Sequence, residues 1–220
     1  MKKLMLALIC LVSLAFVTQN VEGLPQYKIT DPYSSPSGFN GGPFYVDPLP
    51  LGGTDGFVTF CLEMNENFTS GNVYYGSIED GAIFGGVGGQ TTTGYDPLDN
   101  KTKYLYSYFL DNQSDILGNI YKYTGMQLAI WYLENEISNF TGYDESSIYW
   151  AQEYLKLDGS PKYNIMVLNL WTYNYQPGQS YQQIHKAQSQ LIMVPEPGVL
   201  ILLGIGLTAL ALVARRYRKV

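Results

Sequence analysis

The sequence predicts an α+β fold, a β-sandwich or barrel with a helical insertion, flanked by a short apolar segment at each end of the chain. Three observations in the 220 residues carry this prediction. Segments of alternating, β-branched and aromatic residues lie on both sides of a stretch with helical periodicity. Glycine- and proline-rich stretches separate those segments. Each end of the chain also joins an apolar run to basic residues, which predicts an N-terminal signal peptide and a C-terminal transmembrane helix.

The strand predictions rest on alternation and on β-branched and aromatic residues between turn-forming stretches. The clearest case is "GFVTFCLEM" at 56–64, where Phe60 and Cys61 point to opposite faces. Residues 24–55 are rich in proline, glycine and serine and predict an irregular lead-in, while the glycine-rich 81–94 predicts a loop. The predicted strands are 44–46, 56–64, 72–78, 163–173 and 189–194.

Three helices are predicted after the strand at 72–78, and the middle helix has the strongest helical periodicity. Asp144 stands where a residue would cap the start of the last helix. In the middle helix, Gln127 is unexpected, because it places an uncharged amide at the edge of a buried apolar stripe. The predicted helices are about 104–111, 124–137 and 145–157, and the stripe is Met126, Ala129, Ile130 and Leu133.

The N-terminus has the layout of a secretory signal peptide. Lys2 and Lys3 precede an apolar run over 4–17, and a plausible cleavage site follows Gly23. The alternative is a membrane anchor, but the apolar run is short for a membrane span. We therefore expect residues 1–23 to be removed and the protein to be exported.

The C-terminus has the layout of a stop-transfer segment. Residues 198–214 carry no charge, and at 1.5 Å per residue a helix of this length just spans a hydrocarbon core. A buried core helix is the alternative, but such a helix would need a polar face. The basic cluster that follows predicts a cytoplasmic C-terminus and an external domain. This cluster is Arg215, Arg216, Arg218 and Lys219.

The same tail carries a recognisable motif. The sequence Val-Pro-Glu-Pro, a short apolar helix and a final basic cluster resemble the PEP-CTERM sorting tail of bacterial surface proteins. The resemblance implies processing by an exosortase-type enzyme near the motif, often in bacteria that make extracellular polysaccharide. We therefore expect a sorting tail over 195–220, an exported domain over 24–194, and a location in the membrane, at the cell surface or outside the cell. The motif residues are Pro195, Glu196 and Pro197.

The composition of the exported domain excludes several function classes. Residues 24–194 contain seven lysines, no arginine and seventeen acidic residues, which gives a net charge of −10 and argues against nucleic acid as a partner. The sole histidine, His185, has no nucleophile or base context, so an ordinary hydrolase is not indicated. No cluster with zinc-ligand or EF-hand spacing occurs, so we expect no metal and no cofactor. Abundant tyrosine suits a surface that stacks on sugars or peptides.

A single cysteine remains once the signal peptide is removed. Cys10 lies in the leader, and Cys61 alone cannot form an internal disulfide. One interpretation is a buried, inert thiol, which is common for free cysteine. The alternation in 56–64 favours another, since Cys61 points away from the sheet core toward whatever covers that face. A covering helix with Gln127 would bring a thiol and a carboxamide together.

A thiol and a carboxamide can condense, with loss of ammonia, to an internal thioester. Such an activated acyl group survives only where water is excluded, and Phe60, Trp131 and Tyr132 are aromatic residues available to do so. Thiolate attack at neutral pH also needs a base or a lowered thiol pKa. Glu63, on the same strand face as Cys61, is a candidate by position.

Two sequence blocks resemble the Cys–Gln thioester domain of bacterial surface adhesins. These blocks are "FCLEMNE" and "MQLAIWYLE", in that order. The resemblance implies that Cys61 supplies the thiol and Gln127 the acyl group, and that the bond links the protein to an amine or hydroxyl of a partner surface. Such capture is used once, so we do not expect an enzyme.

Two alternatives stay open at this point. Thr124 and Gln127 also fit a capping box, in which the glutamine binds back to the first turn of the helix. A capping glutamine needs no cysteine. The function would then be a noncovalent structural or carbohydrate-binding module of an exopolysaccharide matrix.

Overall fold

The computed structural model of the protein describes residues 24–33, 39–50, 56–83, 86, 94–173, 186–195 and 203–208. Several predictions fall outside these ranges: the signal peptide at 1–23, His185, Glu196, Pro197 and the basic cluster at 215–219. Of the transmembrane helix predicted at 198–214, the structure describes a helical segment at 203–208. No helix within the described ranges has the length and apolar character that a membrane span requires.

A curled, six-stranded antiparallel sheet forms the body of the domain, with the strand order β3-β2-β1-β4-β7-β8. A separate hairpin-like pair, β5 and β6, packs beside it. The strands are β1 (Gln26–Thr30), β2 (Phe44–Pro48), β3 (Phe57–Thr59), β4 (Val73–Glu79), β5 (Gly81–Ile83), β6 (Tyr95–Pro97), β7 (Ile165–Trp171) and β8 (Lys186–Met193).

The sheet curls until the chain leaving β3 meets the opposite edge strand, β8. Cys61 and Gln190 form an isolated antiparallel bridge at this seam. The backbone N–H of Leu62 donates to Ser189 O over 3.1 Å, and that of Leu191 donates to Phe60 O over 3.1 Å. The strand edges therefore satisfy each other, which is how a curled sheet avoids exposed edges. The prediction was a sandwich or a barrel, and the structure is a curled half-barrel.

Four helices are inserted between β6 and β7. They are α1 (Asn100–Asp111), α2 (Gln113–Leu117), α3 (Ile120–Leu133) and α4 (Glu145–Lys156). The predicted cap of α4 is confirmed, because the Asp144 carboxylate accepts from the backbone N–H groups of Ser146 and Ser147. The helical insertion itself is also confirmed, but it contains four helices rather than the three predicted, because α2 lies between the first two predicted helices.

Helix α3 lies at the centre of the domain and begins earlier than predicted. Its cap is Asn119, whose side chain accepts from the N–H groups of Tyr121 and Lys122, rather than Thr124. Every residue from 123 to 131 is buried, so α3 has no solvent face over two and a half turns. Gly125 permits the close approach of α4, since a Cβ there would lie 2.6 Å from Trp150 Cβ. This packing encloses Gln127 completely.

Several element boundaries differ from the predictions for local reasons. The lead-in at 24–55 is not irregular throughout, because it contributes the central strand β1 as well as β2. The strand predicted at 56–64 ends at Thr59, and the chain continues to Cys61 in bridge geometry at the seam. The stretch predicted as a loop at 81–94 begins with β5, which pairs with β6.

Candidate functional site

The structure brings Cys61 and Gln127 into contact, although 66 positions separate them in sequence. Cys61 Sγ lies 3.3 Å from Gln127 Oε1. Both side chains have 0% exposure. The seam of the sheet supplies the cysteine and the centre of α3 supplies the glutamine, so two rigid elements fix the separation. This burial fits an inert thiol as well, but an inert thiol gives no reason for an amide to be aimed at it.

Hydrogen bonds hold the Gln127 amide in a single orientation. Its Oε1 accepts from the backbone N–H of Gly42 over 3.0 Å and from that of Cys61 over 3.1 Å. Its Nε2 donates to Cys61 O over 2.8 Å. Two backbone donors that converge on one carbonyl oxygen form the geometry of an oxyanion hole, which stabilises negative charge on that oxygen. The carbonyl oxygen that the sulfur contacts is therefore already bound by two backbone N–H groups.

A diglycine segment lets the backbone reach this amide. A Cβ on Gly41 would lie 2.6 Å from Gln127 Cγ and 2.6 Å from Phe39 Cζ. A Cβ on Gly42 would lie 3.0 Å from Gln127 Oε1 and 3.3 Å from Phe60 Cα. Sequence reasoning missed this segment because it assigned 24–55 to an irregular lead-in. The paired glycines before Pro43 were the available signal, since glycine marks close backbone approach.

Aromatic rings enclose the pair, but they are not all the predicted ones. Phe60 and Trp131 are both buried, with 0% and 3% exposure, but the Phe60 ring packs on Phe109 at a centroid distance of 4.9 Å. Phe39, which was not predicted, packs on Trp131 with ring centroids 5.5 Å apart. Tyr132 does not belong to this wall, because it is 42% exposed and its ring packs on Phe140. Tyr132 follows Trp131 by one helical step, which turns its side chain away from the buried face.

The electrostatic surroundings keep the Cys61 thiol neutral. Burial raises the pKa of this thiol far above its ordinary range, and the nearby Glu63 charge raises it further. The backbone N–H groups of Gly42 and Cys61 and the indole N–H of Trp131 act in the opposite direction. The Trp131 Nε1 has no hydrogen-bond partner among the described residues, so the indole lowers the thiol pKa less than the backbone N–H groups do. A free thiolate is therefore not the resting state.

Glu63 has other partners than the thiol. Its Oε1 lies 2.9 Å from Lys186 Nζ, and its Oε2 accepts from the Ser189 N–H over 2.8 Å. Lys186 also contacts Glu66, and its side chain is only 2% exposed. The carboxylate predicted as a base is thus held in a buried ion cluster, two residues along the chain from the sulfur. Its effect on the thiol is to raise the thiol pKa, which is the opposite of activation.

The capping-box interpretation of Gln127 is wrong. Because α3 begins at Ile120, Gln127 lies in the interior of the helix, two turns from its start. Its amide binds Gly42 and Cys61 rather than a first-turn N–H. The Thr124 hydroxyl, predicted to cap, is buried and has no hydrogen-bond partner among the described residues.

Comparisons with known proteins relate the two parts of the chain to different groups. Residues 194–219 match the family described as the PEP-CTERM protein-sorting motif. The fold is similar to the N-terminal thioester domain of a surface protein from Clostridium perfringens, at 13% identity and a TM-score of 0.48, over 77% of this chain and 99% of that one. A cysteine-to-alanine mutant of that domain gives 12% identity and a TM-score of 0.47, over 76% and 98%.

A second solved structure is more distant. The Bacillus anthracis TIE protein gives 10% identity and a TM-score of 0.36, over 79% of this chain and 39% of that one. Comparison with curated proteins finds no match. The resemblance to a sorting tail is thus confirmed, and the motif implies an exported, surface-sorted protein.

Proposed function

We propose that this surface protein forms an internal thioester between Cys61 and Gln127 and uses it to attach covalently to a partner surface. The observation that supports the proposal most strongly is the convergence of three groups on one amide. The sulfur lies 3.3 Å from Oε1, and two backbone N–H groups bind the same oxygen at 3.0 and 3.1 Å. An ordinary structural glutamine needs hydrogen bonds but has no need of a buried thiol against its carbonyl.

Bond formation needs no external reagent. Cys61 Sγ attacks the Gln127 carbonyl carbon, and the negative charge that develops on Oε1 is stabilised by the N–H groups of Gly42 and Cys61. The thiol proton passes to the amide nitrogen, which leaves as ammonia when the carbon–nitrogen bond breaks. Because the thiol is neutral at rest, we expect proton transfer to accompany attack rather than precede it. The fixed contact between sulfur and amide supplies the proximity that such an intramolecular step requires.

Attachment then consumes the bond. A partner amine or hydroxyl attacks the same carbonyl carbon, and the carbon–sulfur bond breaks. The product is an amide or ester on Gln127, with the nucleophile's proton transferred to the released Cys61 sulfur. The same two N–H groups stabilise the oxygen in this second step. Since the thioester is not regenerated, one molecule captures one partner, and we propose a binding device rather than an enzyme.

The sorting tail would determine where the thioester domain is located. An exosortase-type enzyme that processes the chain near Pro195–Pro197 would leave the domain at the cell surface or in the surrounding matrix. Until then, the apolar segment at 198–214 would hold the domain at the outer face of the membrane. The acidic domain, with a net charge of −10 over 24–194, favours partners that are neutral or positively charged.

Intact-mass spectrometry of the freshly purified domain tests the proposal. We expect the mass of residues 24–194 to be lower than calculated by one ammonia, and Cys61→Ala to restore the calculated mass. Methylamine added to the wild-type domain should add its own mass once and release one thiol to iodoacetamide. A wild-type mass that equals the calculated value, with a thiol that is blocked only by burial and reacts fully on unfolding, would contradict the proposal.

A further inference from the structure

A polar pocket shares a wall with the candidate thioester. The pocket has a volume of about 310 Å³, and Phe39 and Gly41 line it. The same two residues contact the reactive pair, since a Cβ on Gly41 would meet both Phe39 and Gln127 Cγ at 2.6 Å. The Phe39 ring also packs on Trp131. A molecule seated in the pocket is therefore separated from the Gln127 side chain by a single layer of backbone and ring.

Aromatic rings form much of the pocket. Phe39 and Phe44 are buried at 8% and 4% exposure, and Tyr33 and Phe68 are half-buried. Phe44 and Phe68 meet edge to face with centroids 4.7 Å apart, which fixes their orientation. The half-buried rings of Tyr33 and Phe68 thus provide most of the aromatic surface that a ligand in the pocket can contact.

Uncharged hydrogen-bonding groups and one carboxylate complete the lining. Asp31, Asn40, Asn67 and Ser70 are exposed, while the Gln188 amide is buried. The Gln188 Nε2 is already used by Glu63 O at 2.7 Å, which holds the amide in position. No lysine or arginine is found among the described residues that line the pocket. The described residues of the lining therefore carry five amide or hydroxyl groups, including that of Tyr33, and one charged group.

We propose that this pocket binds a sugar ring of a polysaccharide and so selects the partner that the thioester captures. A sugar ring has apolar C–H faces that suit aromatic walls, and hydroxyls around its edge that suit amide, hydroxyl and carboxylate groups. A lysine side chain is a narrow apolar stem with a point charge, and it would leave most of these amides unused. A phosphate or sulfate group would meet Asp31 with no cation to bind it. The volume is in the range of ordinary small-ligand sites.

The consequence for capture rests on the proposed function. A bound ring brings its hydroxyls to the Phe39–Gly41 wall, and because this wall lies between the ring and Gln127, attack requires the wall to move aside. Attack by one hydroxyl on the Gln127 thioester then gives an ester and a free Cys61 thiol. The bond formed is carbon–oxygen, the bond broken is carbon–sulfur, and the hydroxyl proton goes to the sulfur. Binding in the pocket itself does not require the thioester.

The first experiment measures binding without the thioester. In the Cys61→Ala domain, titration with glucose, galactose, mannose and glucosamine is followed by NMR. We expect at least one sugar to perturb aromatic signals of the pocket. The double variant Asp31→Ala/Asn67→Ala should bind this sugar about tenfold more weakly, as the loss of two hydrogen bonds implies. The matched control Asp158→Ala/Asn65→Ala changes exposed residues outside the pocket and should bind normally. Failure of all four sugars to bind would overturn the proposal.

The second experiment separates this proposal from the thioester. Wild-type domain is incubated separately with three compounds. They are methylamine, an oligosaccharide of the sugar that binds in the first experiment, and Nα-acetyl-lysine methylamide. We expect the oligosaccharide to add to the domain, and Asp31→Ala/Asn67→Ala to slow this addition about tenfold while leaving methylamine addition unchanged. If methylamine adds but no oligosaccharide adds, the proposed thioester is supported and the proposed role of the pocket is overturned. Preference for the lysine derivative, slowed by the same double variant, would assign the pocket to protein partners and also overturn it.

Discussion

Two buried polar groups follow each other along the seam of the sheet, and they differ in charge. The first is the neutral pair of Cys61 and Gln127, in which every contact converges on one carbonyl. The second is the ion cluster of Glu63, Lys186 and Glu66, in which each charge has an opposite charge beside it. Only two positions separate Cys61 from Glu63.

The difference shows how one seam serves chemistry and stability at once. A buried ion cluster has a large desolvation cost, and removing one member leaves an uncompensated charge. Its members are thus fixed in position by their partners. A neutral thiol and amide have a smaller burial cost and no counter-ion, so their contact remains free to become a bond. We infer that the cluster locks the chain between 61 and 66 to β8 and thereby sets the position of the sulfur.

The largest expected effect tests whether the Cys61–Gln127 pair forms its bond without help from the ion cluster. Cys61→Ala should abolish ammonia loss and methylamine addition completely, because the attacking atom is gone. Glu63→Gln should retain both, since Glu63 contacts Lys186 and Ser189 rather than the thiol. Intact mass of both variants, checked for folding by circular dichroism, measures this. Loss of the cross-link in folded Glu63→Gln would make Glu63 the base and merge the two groups.

The next effect concerns the stability of the cluster. Lys186→Met should lower the free energy of unfolding by about 3–5 kcal/mol, because Glu63 is left buried without its cation. Chemical denaturation measures the difference. The matched control is Lys162→Met, which removes an exposed ion pair with Asp111 and should change stability little. Equal effects of the two substitutions would show that the buried cluster adds no special stability.

A smaller effect concerns the backbone around the neutral pair. Gly41→Ala should displace Gln127 or Phe39, since its Cβ would lie 2.6 Å from both. We expect a stability loss of about 1–3 kcal/mol, typical of overpacking, and a larger fraction of molecules without ammonia loss. Gly118→Ala is the control. Gly118 has a helical φ, and a Cβ there would lie 3.1 Å from its nearest neighbour, Ser114 O. An unaltered cross-linked fraction in Gly41→Ala would mean that the segment does not position the amide.

The smallest effect is the pH dependence of the free energy of unfolding, to which Glu66 of the cluster and Glu134 outside it contribute. Burial, followed by the Glu63 charge, raises the pKa of Glu66 from 4.5 to about 7, and burial raises the pKa of Glu134 to about 7 as well. Between pH 4.5 and 7 the folded state therefore binds more protons than the unfolded state. The free energy of unfolding should then fall as the pH rises through this window.

Two substitutions test which carboxyl groups cause this dependence of the free energy of unfolding on pH. Glu66→Gln should flatten the pH profile of stability in part, because burial also raises the pKa values of Glu134, Asp31 and Asp96. Glu145→Gln changes an exposed residue and should leave the profile as it is. Denaturation midpoints measured at pH 5, 6 and 7 give the three slopes. A profile of Glu66→Gln that matches the wild type would remove Glu66 from the account.

The sequence was sufficient for a β-rich fold with a helical insertion and for the contact between Cys61 and Gln127, because both leave patterns that are readable in short windows. Alternation marked the strand before the cysteine, and the apolar stripe marked α3. The partners of Glu63 were not predictable in the same way. Lys186 is 123 positions away and stands at the start of β8, where nothing in the local pattern indicates an ion pair. Only the closure of the sheet brings the two together.

Other misses have the same origin in tertiary structure. Strand β1 is only five residues long within a stretch rich in glycine and proline, so its place at the centre of the sheet depends on pairing with β2 and β4. Thr124 had the better local capping pattern, but Asn119 begins the helix, and Ile120 and Tyr123 in its first turn also pack on the core. Tyr132 is aromatic and adjacent to Trp131, yet helical rotation places it at the surface.

Peptide mapping of the purified domain tests the central claim most directly. Cleavage after lysine places Cys61 in the peptide 29–101 and Gln127 in the peptide 123–156. We predict that mild digestion of wild-type domain yields these two peptides joined, at a combined mass lower by one ammonia, and that hydroxylamine separates them. Recovery of the two peptides unjoined from untreated protein, with Cys61 as a thiol and Gln127 as an intact amide, would contradict the account.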